Sequence, residues 1–444
     1  MASPTAAERG QWSSNLGFVL AAVGSAVGLG NMWRFPYQMA EAGGAAFLFL
    51  YIFFVIIIGL PIMLAEFSVG RGSKQSPVKA LEHFGGKSWR PLGVLFVVSG
   101  FIILAYYGVI AGWVVRYTGS YILGGIEAPA ATFEAYATGP WAVLLQVIFM
   151  TFTITIVLAG VEGGIERAAI ILMPILFLIV AGLALYASFL DGAGGGYAYY
   201  FQTDFRELLN PAVLSDAAGQ AFFSLSLGMG AMLTYSSYLS RDDNLPRESM
   251  IIASADFMVA FVAGLMIFPL IFALGLSGDV GESTVGALFI TLPEAFSQMG
   301  AAGPFVGLLF FAALLVGALT SAISLLEVVS STAIDTLGWT RRKAATVAGA
   351  AITIVGIPCA IDLRFLEIYD QIAGNVFLAV GALLIAVFVG WRMPDPISEV
   401  KKGTKLTRWL PTWYRLIRYV IPVLLVFVLI DSVRRAYIAI AGLF

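Results

Sequence analysis

Charged residues are scarce in this sequence: aspartate, glutamate, lysine and arginine make up 12% of its 444 residues, about half of the roughly 25% found in soluble domains. Hydrophobic residues make up 59% and the mean hydropathy is +0.90, which excludes a soluble globular protein and indicates a bilayer protein. The chain has one cysteine, Cys359, and one histidine, His83. This excludes an intramolecular disulfide and disfavours a zinc centre or a histidine-based active site. The formal charge of −2 gives no general attraction to nucleic acid.

The sequence contains many long apolar runs, which predict an all-α integral membrane protein. A membrane-spanning helix needs roughly 20 apolar residues, and eleven windows of the sequence meet this requirement. They are 13–36, 44–69, 91–124, 139–159, 165–188, 212–239, 249–277, 303–334, 342–361, 365–391 and 413–440. We expect one transmembrane domain over residues 1–444 with short connections, and no removable signal peptide before the first span.

The basic residues are distributed unevenly among the connections. If the N-terminus is cytoplasmic, Arg9 and the loops at 70–90, 160–167, 240–248, 335–343 and 392–418 hold 19 of the 25 lysines and arginines. An excess of basic residues in cytoplasmic loops is the usual signature of membrane orientation. With an odd number of spans, the C-terminus is then expected outside.

Glycines interrupt the middle of two predicted spans. Span one contains the run GSAVGLGN at 24–31, and span six contains SLSLGMG at 224–230. Backbone released from a helix at bilayer depth must line a cavity or be buried in protein, although small residues also allow close helix packing. If spans one to five and spans six to ten form two repeats, these two spans are the first span of each repeat. Paired interruptions of this kind indicate a midplane binding site in a transporter built from inverted repeats.

These runs resemble the neurotransmitter:sodium symporter family, and within it the bacterial amino-acid transporters with the leucine-transporter fold. The similarity runs in order through GSAVGLGNMWRFP at 24–36, the tyrosine pair at 106–107, GQAFFSLSLGMG at 219–230, GALTS at 317–321 and DQIAG at 370–374. It implies broken spans one and six, inverted repeats at about 12–190 and 210–391, and an additional span at 413–440. Ending after an eleventh span resembles the branch that includes transporters of many hydrophobic amino acids.

The resemblance implies a substrate site between the two broken spans. An amino acid carries a carboxylate, which suits freed N–H groups at a half-helix N-terminus, and an ammonium group, which suits carbonyls at half-helix C-termini. Tyr107 is expected to donate its hydroxyl to the carboxylate. Monoamine carriers of the family have an aspartate where this chain has Gly28, so the substrate should bring its own carboxylate. Met229, where many relatives have phenylalanine, is expected to repack around different side chains. The implied substrate residues are Ala26, Leu29, Gly30, Ile103, Tyr107, Phe223, Ser224, Ser226, Met229, Ser321 and Leu325.

Two sodium sites are implied in the same way, built from the oxygen ligands that hard cations prefer. The first site comprises Ala26, Asn31, Ser224 and Asp256 together with the substrate carboxylate. The second comprises Gly24, Val27, Gly317, Thr320 and Ser321, although hydroxyls in membrane helices also bond to carbonyls of their own helix. Asp256 stands where many relatives have asparagine, and Ala260 lacks the hydroxyl of chloride-dependent members. We therefore expect that transport does not require chloride. Whether Asp256 binds a proton after sodium leaves stays open.

The resemblance also implies gates on both sides of the substrate. Arg34 and Asp370 match the outer pair that closes over it. The cytoplasmic gate is matched by Arg9, Trp12, Tyr238 and Asp335. Glu66 matches an acid that hydrogen-bonds the unwound part of span six, where backbone would otherwise lack partners.

These features predict a sodium-coupled symporter that imports hydrophobic and aromatic L-amino acids by alternating access across a bacterial inner membrane, as a monomer or weak dimer. No enzymatic activity is expected, because the sequence has no HExxH or GxSxG pattern. A passive channel is disfavoured because it would need a polar pore ring. A proton-coupled transporter, a narrow-specificity transporter of small amino acids, and a sensor that binds substrate without transporting it stay open.

Overall fold

The structure is a computed structural model that describes residues 10–42, 44–275 and 287–443. Within these residues, nine uninterrupted helices are long and apolar enough to cross a membrane. They are Ala45–Ser73, Lys87–Ile122, Pro140–Leu158, Val161–Ser188, Leu245–Ala273, Gly300–Leu337, Arg341–Ile361, Leu363–Trp391 and Leu410–Gly442. They correspond to the predicted spans two to five and seven to eleven.

The remaining two spans are broken at the predicted glycine runs. Span one consists of Asn15–Ala26 and Gly30–Glu41, which meet at a bend of 55°. Span six consists of Pro211–Ser224 and Ala231–Ser236, separated by residues 225–230. In both spans the half-helices end where glycine and small polar residues weaken the helix.

Two predicted boundaries of the broken spans were wrong. Span one ends at Glu41 rather than at 36, because its outer half-helix, Gly30–Glu41, continues through Pro36. Span six ends at Ser236 rather than at 239, and a turn follows it.

Several of the described connections between the spans contain short helices. They are Pro77–Gly85, Pro129–Ala137, Ala193–Phe201, Leu292–Gln298 and Pro396–Lys401. Four of these carry proline in the first turn, where its fixed φ suits a helix start.

The broken spans lie in the middle of the bundle. Span eight packs against span three and against the first half of span one, and both halves of span six pack against span two. Spans five and eleven lie outermost, with most of their side chains on the apolar outer surface. We call the end of the bundle that holds Trp12 and Tyr238 the N-terminal face. The opposite end, which holds Arg34 and Asp370, is called the vestibule face.

Candidate substrate and sodium sites

The break in span one is held by the side chain of Asn31. Its Oδ1 accepts the backbone N–H of Gly28 at 3.0 Å, and its own backbone N–H donates to the Gly28 carbonyl at 3.2 Å. The chain therefore turns within a few residues, and the outer half-helix begins near Leu29 and Gly30. These residues lie at the positive end of that half-helix, where a carboxylate is stabilised.

The break in span six is held by Glu66 of span two. Its Oε1 and Oε2 accept the backbone N–H groups of Gly228 at 2.8 Å and Leu233 at 3.2 Å, as the resemblance implied. Gly228 has a φ of +77°, and a β-carbon there would lie 2.5 Å from the carbonyl oxygen of Leu378 in span ten. Both the backbone conformation and the available space therefore require glycine at this position.

A cavity of about 30 Å³ lies between the two breaks. All the predicted substrate residues line it, and Ser25 and Gly28, which were not predicted as lining residues, complete its wall. This volume admits water but not an amino acid. The cavity must therefore widen before a substrate of that size can enter it.

The Tyr107 hydroxyl is a polar group of this cavity that lacks a partner. It is buried and makes no hydrogen bond of normal geometry to any residue that the structure describes, although the Ser321 hydroxyl and the Leu29 backbone lie beside it. A β-carbon on Gly28 would approach the Tyr107 hydroxyl to 3.2 Å and the Ser321 hydroxyl to 2.6 Å. A buried donor without an acceptor is costly, so this hydroxyl is suited to a ligand acceptor placed next to Gly28.

The negative ends of two half-helices meet at the same cavity. Helices Asn15–Ala26 and Pro211–Ser224 both finish there, and their last carbonyls carry partial negative charge. Ser226 has a φ of +53°, which is uncommon for a residue other than glycine. Its hydroxyl donates to the Ser25 carbonyl at 2.8 Å, and the hydroxyl oxygen keeps lone pairs that can accept a bond. This part of the wall suits an ammonium group.

The rest of the cavity wall is apolar. Ile103, Met229 and Leu325 are all buried and come from spans three, six and eight. Met229 lies between two glycines with positive φ, Gly228 and Gly230. Such a wall can hold an apolar side chain, and the flexible thioether can adapt to its shape.

The predicted first sodium site is built around Asp256, which is fully buried in span seven. Its Oδ1 accepts the Asn31 amide at 2.7 Å and the Ser224 hydroxyl at 2.8 Å, and its Oδ2 accepts the Tyr51 hydroxyl at 2.8 Å. In the described part of the chain no cationic side chain pairs with it. A carboxylate in a membrane span needs a cation or a proton. Asn31, Ser224 and Asp256 therefore form one hydrogen-bonded group, and Ala26, at the end of Asn15–Ala26, lines the neighbouring cavity together with Ser224.

The residues of the predicted second sodium site lie together where spans one and eight cross. A β-carbon on Gly24 would lie 3.0 Å from the Thr320 side chain, and one on Gly317 would lie 3.3 Å from Gly28. The Ser321 hydroxyl donates to the Gly24 carbonyl at 3.4 Å. The Thr320 hydroxyl donates to the Gly317 carbonyl of its own helix at 3.1 Å. Bonds of this kind within a helix were the alternative to sodium binding for these hydroxyls. Val27 caps the adjoining helix end, so carbonyls and hydroxyls suited to sodium share this crossing.

Arg34 and Asp370, the predicted outer gate, line a cavity of about 1080 Å³ at the vestibule face. They do not pair with each other in the described structure: Arg34 donates to the Asn375 side chain at 3.1 Å, and Asp370 accepts the Tyr106 hydroxyl at 2.7 Å. The Arg34 guanidinium also lies 4.9 Å from the centre of the Phe223 ring. The small and the large cavities share four lining residues, which are Leu29, Gly30, Tyr107 and Phe223. The vestibule thus reaches down to the small cavity.

Trp12 and Tyr238, predicted in the inner gate, close the N-terminal face. The Trp12 indole donates to the Tyr235 carbonyl at 2.9 Å, and its ring makes edge contacts with Tyr235 at 5.3 Å and Tyr238 at 6.2 Å. The Tyr238 hydroxyl donates to Glu327 at 2.6 Å. Glu327 also pairs with Arg341 at 2.8 Å, so this buried carboxylate ties span eight to the start of span nine.

The other two residues of the predicted inner gate are Arg9 and Asp335. Arg9 lies outside the described residues. Asp335 accepts the backbone N–H of Ser76 at 2.7 Å, which ties span eight to the connection after span two. The structure is therefore closed at the N-terminal face and open at the vestibule face.

Sequence reasoning missed two ion pairs that share Arg435, a residue that lines the vestibule. Arg435 in span eleven pairs with Asp216 in the outer half of span six and with Asp431 at 2.6 Å. Charged residues inside a span are expensive and mark functional or paired positions. Their presence within predicted spans six and eleven was a signal that could have identified them.

A model of the sodium:neurotransmitter symporter family matches residues 9–125 and 132–439. The uncharacterised sodium-dependent transporter YhdH of Bacillus subtilis is 35% identical, over 95% of this chain and 97% of that protein. A sodium-dependent transporter of Methanocaldococcus jannaschii is 34% identical, over 89% of this chain and 86% of that protein. The sodium- and chloride-dependent glycine transporter 2 of Xenopus laevis is 27% identical, over 95% of this chain and 64% of that protein.

Among solved structures, the crystal structure of MhsT in complex with L-phenylalanine is similar to this one. The TM-score is 0.88 and the sequence identity is 41%. The match covers 96% of this chain and 100% of the MhsT chain.

Proposed function

The chain belongs to the sodium:neurotransmitter symporter family, as the sequence predicted, and we propose that it imports hydrophobic and aromatic L-amino acids together with sodium. The match to MhsT confirms the predicted leucine-transporter fold, and spans one and six are broken in the described structure. Membership makes the chain a sodium-dependent symporter embedded in a membrane. Our proposal concerns three further points: which substrate is transported, how many ions accompany it, and in which direction it moves.

The observation that carries the proposal is the buried Tyr107 hydroxyl next to Gly28, which makes no hydrogen bond of normal geometry to any described residue. A substrate that brings its own carboxylate would give this hydroxyl an acceptor and would meet the positive end of the outer half-helix. Its ammonium group would meet the carbonyl ends near Ser226. Its side chain would meet Ile103, Met229 and Leu325. The bound L-phenylalanine of MhsT, at 41% identity, supports an apolar or aromatic side chain.

Two sodium ions and no chloride are proposed as the coupled ions. Asp256 supplies a fixed negative charge that can balance a sodium ion at the first site. The Tyr51 and Ser224 hydroxyls already donate to this carboxylate, so these donors are not free to hold a chloride ion. If the substrate carboxylate also binds the first sodium ion, the affinities for ion and substrate rise together.

Import by alternating access follows from placing the N-terminal face in the cytoplasm of a bacterial cell, where the excess of basic loops puts it. The vestibule would then admit substrate from outside while the Trp12 cluster closes the inner path. Release would require the outer gate to close and this cluster to open.

A thermal-stability panel tests the proposal. Purified protein is heated with each of the twenty L-amino acids and several monoamines, once in sodium chloride, once in potassium chloride and once in sodium gluconate. A ligand that binds the folded state raises the melting temperature. We expect stabilisation by leucine, isoleucine, valine, phenylalanine, tyrosine and tryptophan in both sodium salts and none in potassium. Stabilisation by one small amino acid alone would contradict the broad specificity, and a need for chloride would contradict the role of Asp256.

Transport itself is tested in sealed proteoliposomes. We expect accumulation of labelled phenylalanine above the outside concentration when sodium is imposed outside. Sodium-dependent binding without accumulation would identify a sensor. Accumulation driven by a proton gradient without sodium would identify the proton-coupled alternative.

A further inference from the structure

Basic residues gather where span ten ends and span eleven begins. Between Glu399 and Asp431 the sequence has no acidic residue. The basic residues of this stretch are Lys401, Lys402, Lys405, Arg408, Arg415 and Arg418. Span ten ends at Trp391 and span eleven begins at Leu410, so the stretch lies at a membrane boundary. Basic clusters next to a span attract anionic lipid.

Arg418 differs from the rest of this cluster because aromatic rings surround it. Its guanidinium lies 4.8 Å from the Trp391 ring centre, 5.4 Å from that of Tyr419 and 5.9 Å from that of Tyr414. Guanidinium groups stack favourably on such rings. The charge is therefore held in one place rather than carried on a freely moving side chain.

Hydrogen bonds from two of these aromatic side chains to backbone carbonyls hold the rings around Arg418 in place. The Trp391 indole donates to the Arg418 carbonyl at 3.1 Å, and the Tyr414 hydroxyl donates to the Gly390 carbonyl at 3.0 Å. A β-carbon on Gly390 would lie 2.9 Å from the Cα of Arg418. The ends of spans ten and eleven thus lie in direct contact, and the guanidinium position is set before any ligand arrives.

The guanidinium has hydrogen-bond donors to spare. Among the residues that the structure describes, no carboxylate pairs with Arg418, and its side chain makes one long hydrogen bond, from Nη1 to the Tyr414 hydroxyl at 3.4 Å. Trp391 and Tyr419 beside it are 58% and 54% exposed on the outer surface. An unpaired guanidinium at this level is costly unless an anion reaches it, and its planar fork matches a phosphate group.

The length of span eleven places this group near the lipid headgroups. The span has 33 residues, roughly 50 Å of helix at 1.5 Å per residue, against roughly 30 Å of hydrocarbon. Its first turns therefore extend into the interfacial layer, and exposed tryptophan and tyrosine are typical of that layer.

We propose that Arg418, with Trp391 and Tyr419 as side walls, binds the phosphate of an anionic phospholipid in the leaflet at the N-terminal face. The basic cluster around it raises the local concentration of such lipids. Basic residues that served only to orient the chain in the membrane would need no fixed aromatic surround. The proposed site joins the ends of spans ten and eleven and does not depend on the identity of the transported substrate.

Native mass spectrometry of the full chain tests this proposal. Protein is released from detergent after incubation with phosphatidylglycerol or phosphatidylcholine, and bound lipids are counted. We expect a retained phosphatidylglycerol adduct that Arg418→Gln weakens by roughly tenfold, the effect of about one charge-assisted hydrogen bond. Arg415→Gln, which removes one charge from an exposed side chain on the adjoining turn, should keep the adduct. Arg418→Lys keeps the charge but loses the planar fork, so it should weaken the adduct as well.

Three outcomes would overturn the proposal. An equal adduct in wild type and Arg418→Gln would remove Arg418 from the site. Equal losses in Arg418→Gln and Arg415→Gln would show attraction by total charge rather than a built site. Stabilisation by millimolar inorganic phosphate equal to that by phosphatidylglycerol, in a melting experiment, would identify a free-anion site instead. Helix content from circular dichroism checks that each variant is folded before its adducts are compared.

Discussion

A β-carbon on Gly17 would lie 1.9 Å from Oε1 of Glu166, so the carboxylate at the start of span five lies directly against the first half-helix of span one. Glu166 is 1% exposed. It accepts the Ser13 backbone N–H at 2.7 Å and the hydroxyls of Ser13 and Ser14 at 2.8 Å. The half-helix that must move when the N-terminal face opens is therefore fastened to span five at its first turn.

Removing this carboxylate should loosen the first half of span one. We expect Glu166→Ala to raise amide hydrogen exchange in residues 15–26 by roughly 30-fold, corresponding to a loss of about 2 kcal/mol of local stability. Gly17→Ala should act in the same direction, because the new methyl group displaces the carboxylate. Glu162→Ala is the control, since Glu162 is exposed in the same turn region. Unchanged exchange in both Glu166→Ala and Gly17→Ala would show that the contact does not restrain the half-helix.

Tyr107→Phe should separate substrate binding from protein stability. The Tyr107 hydroxyl makes no regular hydrogen bond within the described residues, so its removal should leave the melting temperature in sodium nearly unchanged. If this hydroxyl donates to the substrate carboxylate, affinity for phenylalanine should fall by roughly tenfold to a hundredfold, as for a hydrogen bond to a charged group. Isothermal titration and thermal melting of the same sample measure both quantities. Unchanged affinity would exclude Tyr107 from carboxylate binding.

Asp256→Asn should weaken sodium binding at the first site. The variant removes the fixed charge but keeps a side chain that can bond to Asn31 and Ser224. We expect the sodium concentration for half-maximal stabilisation to rise by roughly tenfold or more, with chloride restoring part of the loss because the Tyr51 hydroxyl loses its carboxylate acceptor. Thr320→Val, at the second site, is the comparison: it should weaken sodium binding without any response to chloride. A wild-type sodium dependence in Asp256→Asn would refute the assignment.

Met229→Phe should narrow the range of substrates. The larger ring would fill the space between Ile103 and Leu325 in a cavity that is already small, and overpacking such a space commonly costs about 1–3 kcal/mol. Stabilisation by tryptophan and phenylalanine should fall more than stabilisation by alanine and valine in the thermal panel. Met229→Leu conserves volume and should retain most of the range. Equal losses for all amino acids would place Met229 outside the side-chain subsite.

The broken helices could be predicted because their cause is local. Glycine runs weaken helices wherever they occur, and their presence in the first span of each set of five made a shared cavity the simplest interpretation. The lining residues were implied by the resemblance, and the structure places every one of them on one cavity. Their functions stay predictions.

Contacts between distant segments could not be predicted. Gly17 and Glu166 are far apart in sequence, and each is unremarkable in its own window. Arg418 was counted in a cytoplasmic loop, because the apolar pattern does not reveal that Trp391 lies over it. The boundary of span one was misjudged because proline commonly ends a helix, whereas the half-helix Gly30–Glu41 continues through Pro36.

The outer gate gives the last prediction, because its two charged residues have different partners in this structure. Arg34 donates to the Asn375 side chain, and Asp370 accepts the Tyr106 hydroxyl. Asp370 and Asn375 both lie on the π-helical stretch Asp370–Phe377 of span ten. A small movement of this stretch toward span one would bring Arg34 to Asp370 above Phe223. We therefore expect the ion pair to form only when substrate occupies the cavity below.

A double-mutant cycle with Arg34→Gln and Asp370→Asn measures this coupling in each state. In the absence of substrate the effects of the two changes on stability should add, because the side chains do not touch. In substrate affinity the cycle should give a coupling of about 1 kcal/mol, the size expected for a partly exposed ion pair. A coupling already present without substrate would mean that the pair forms in the open vestibule. The absence of coupling in both states would remove Asp370 from the gate and leave Asn375 as the partner of Arg34.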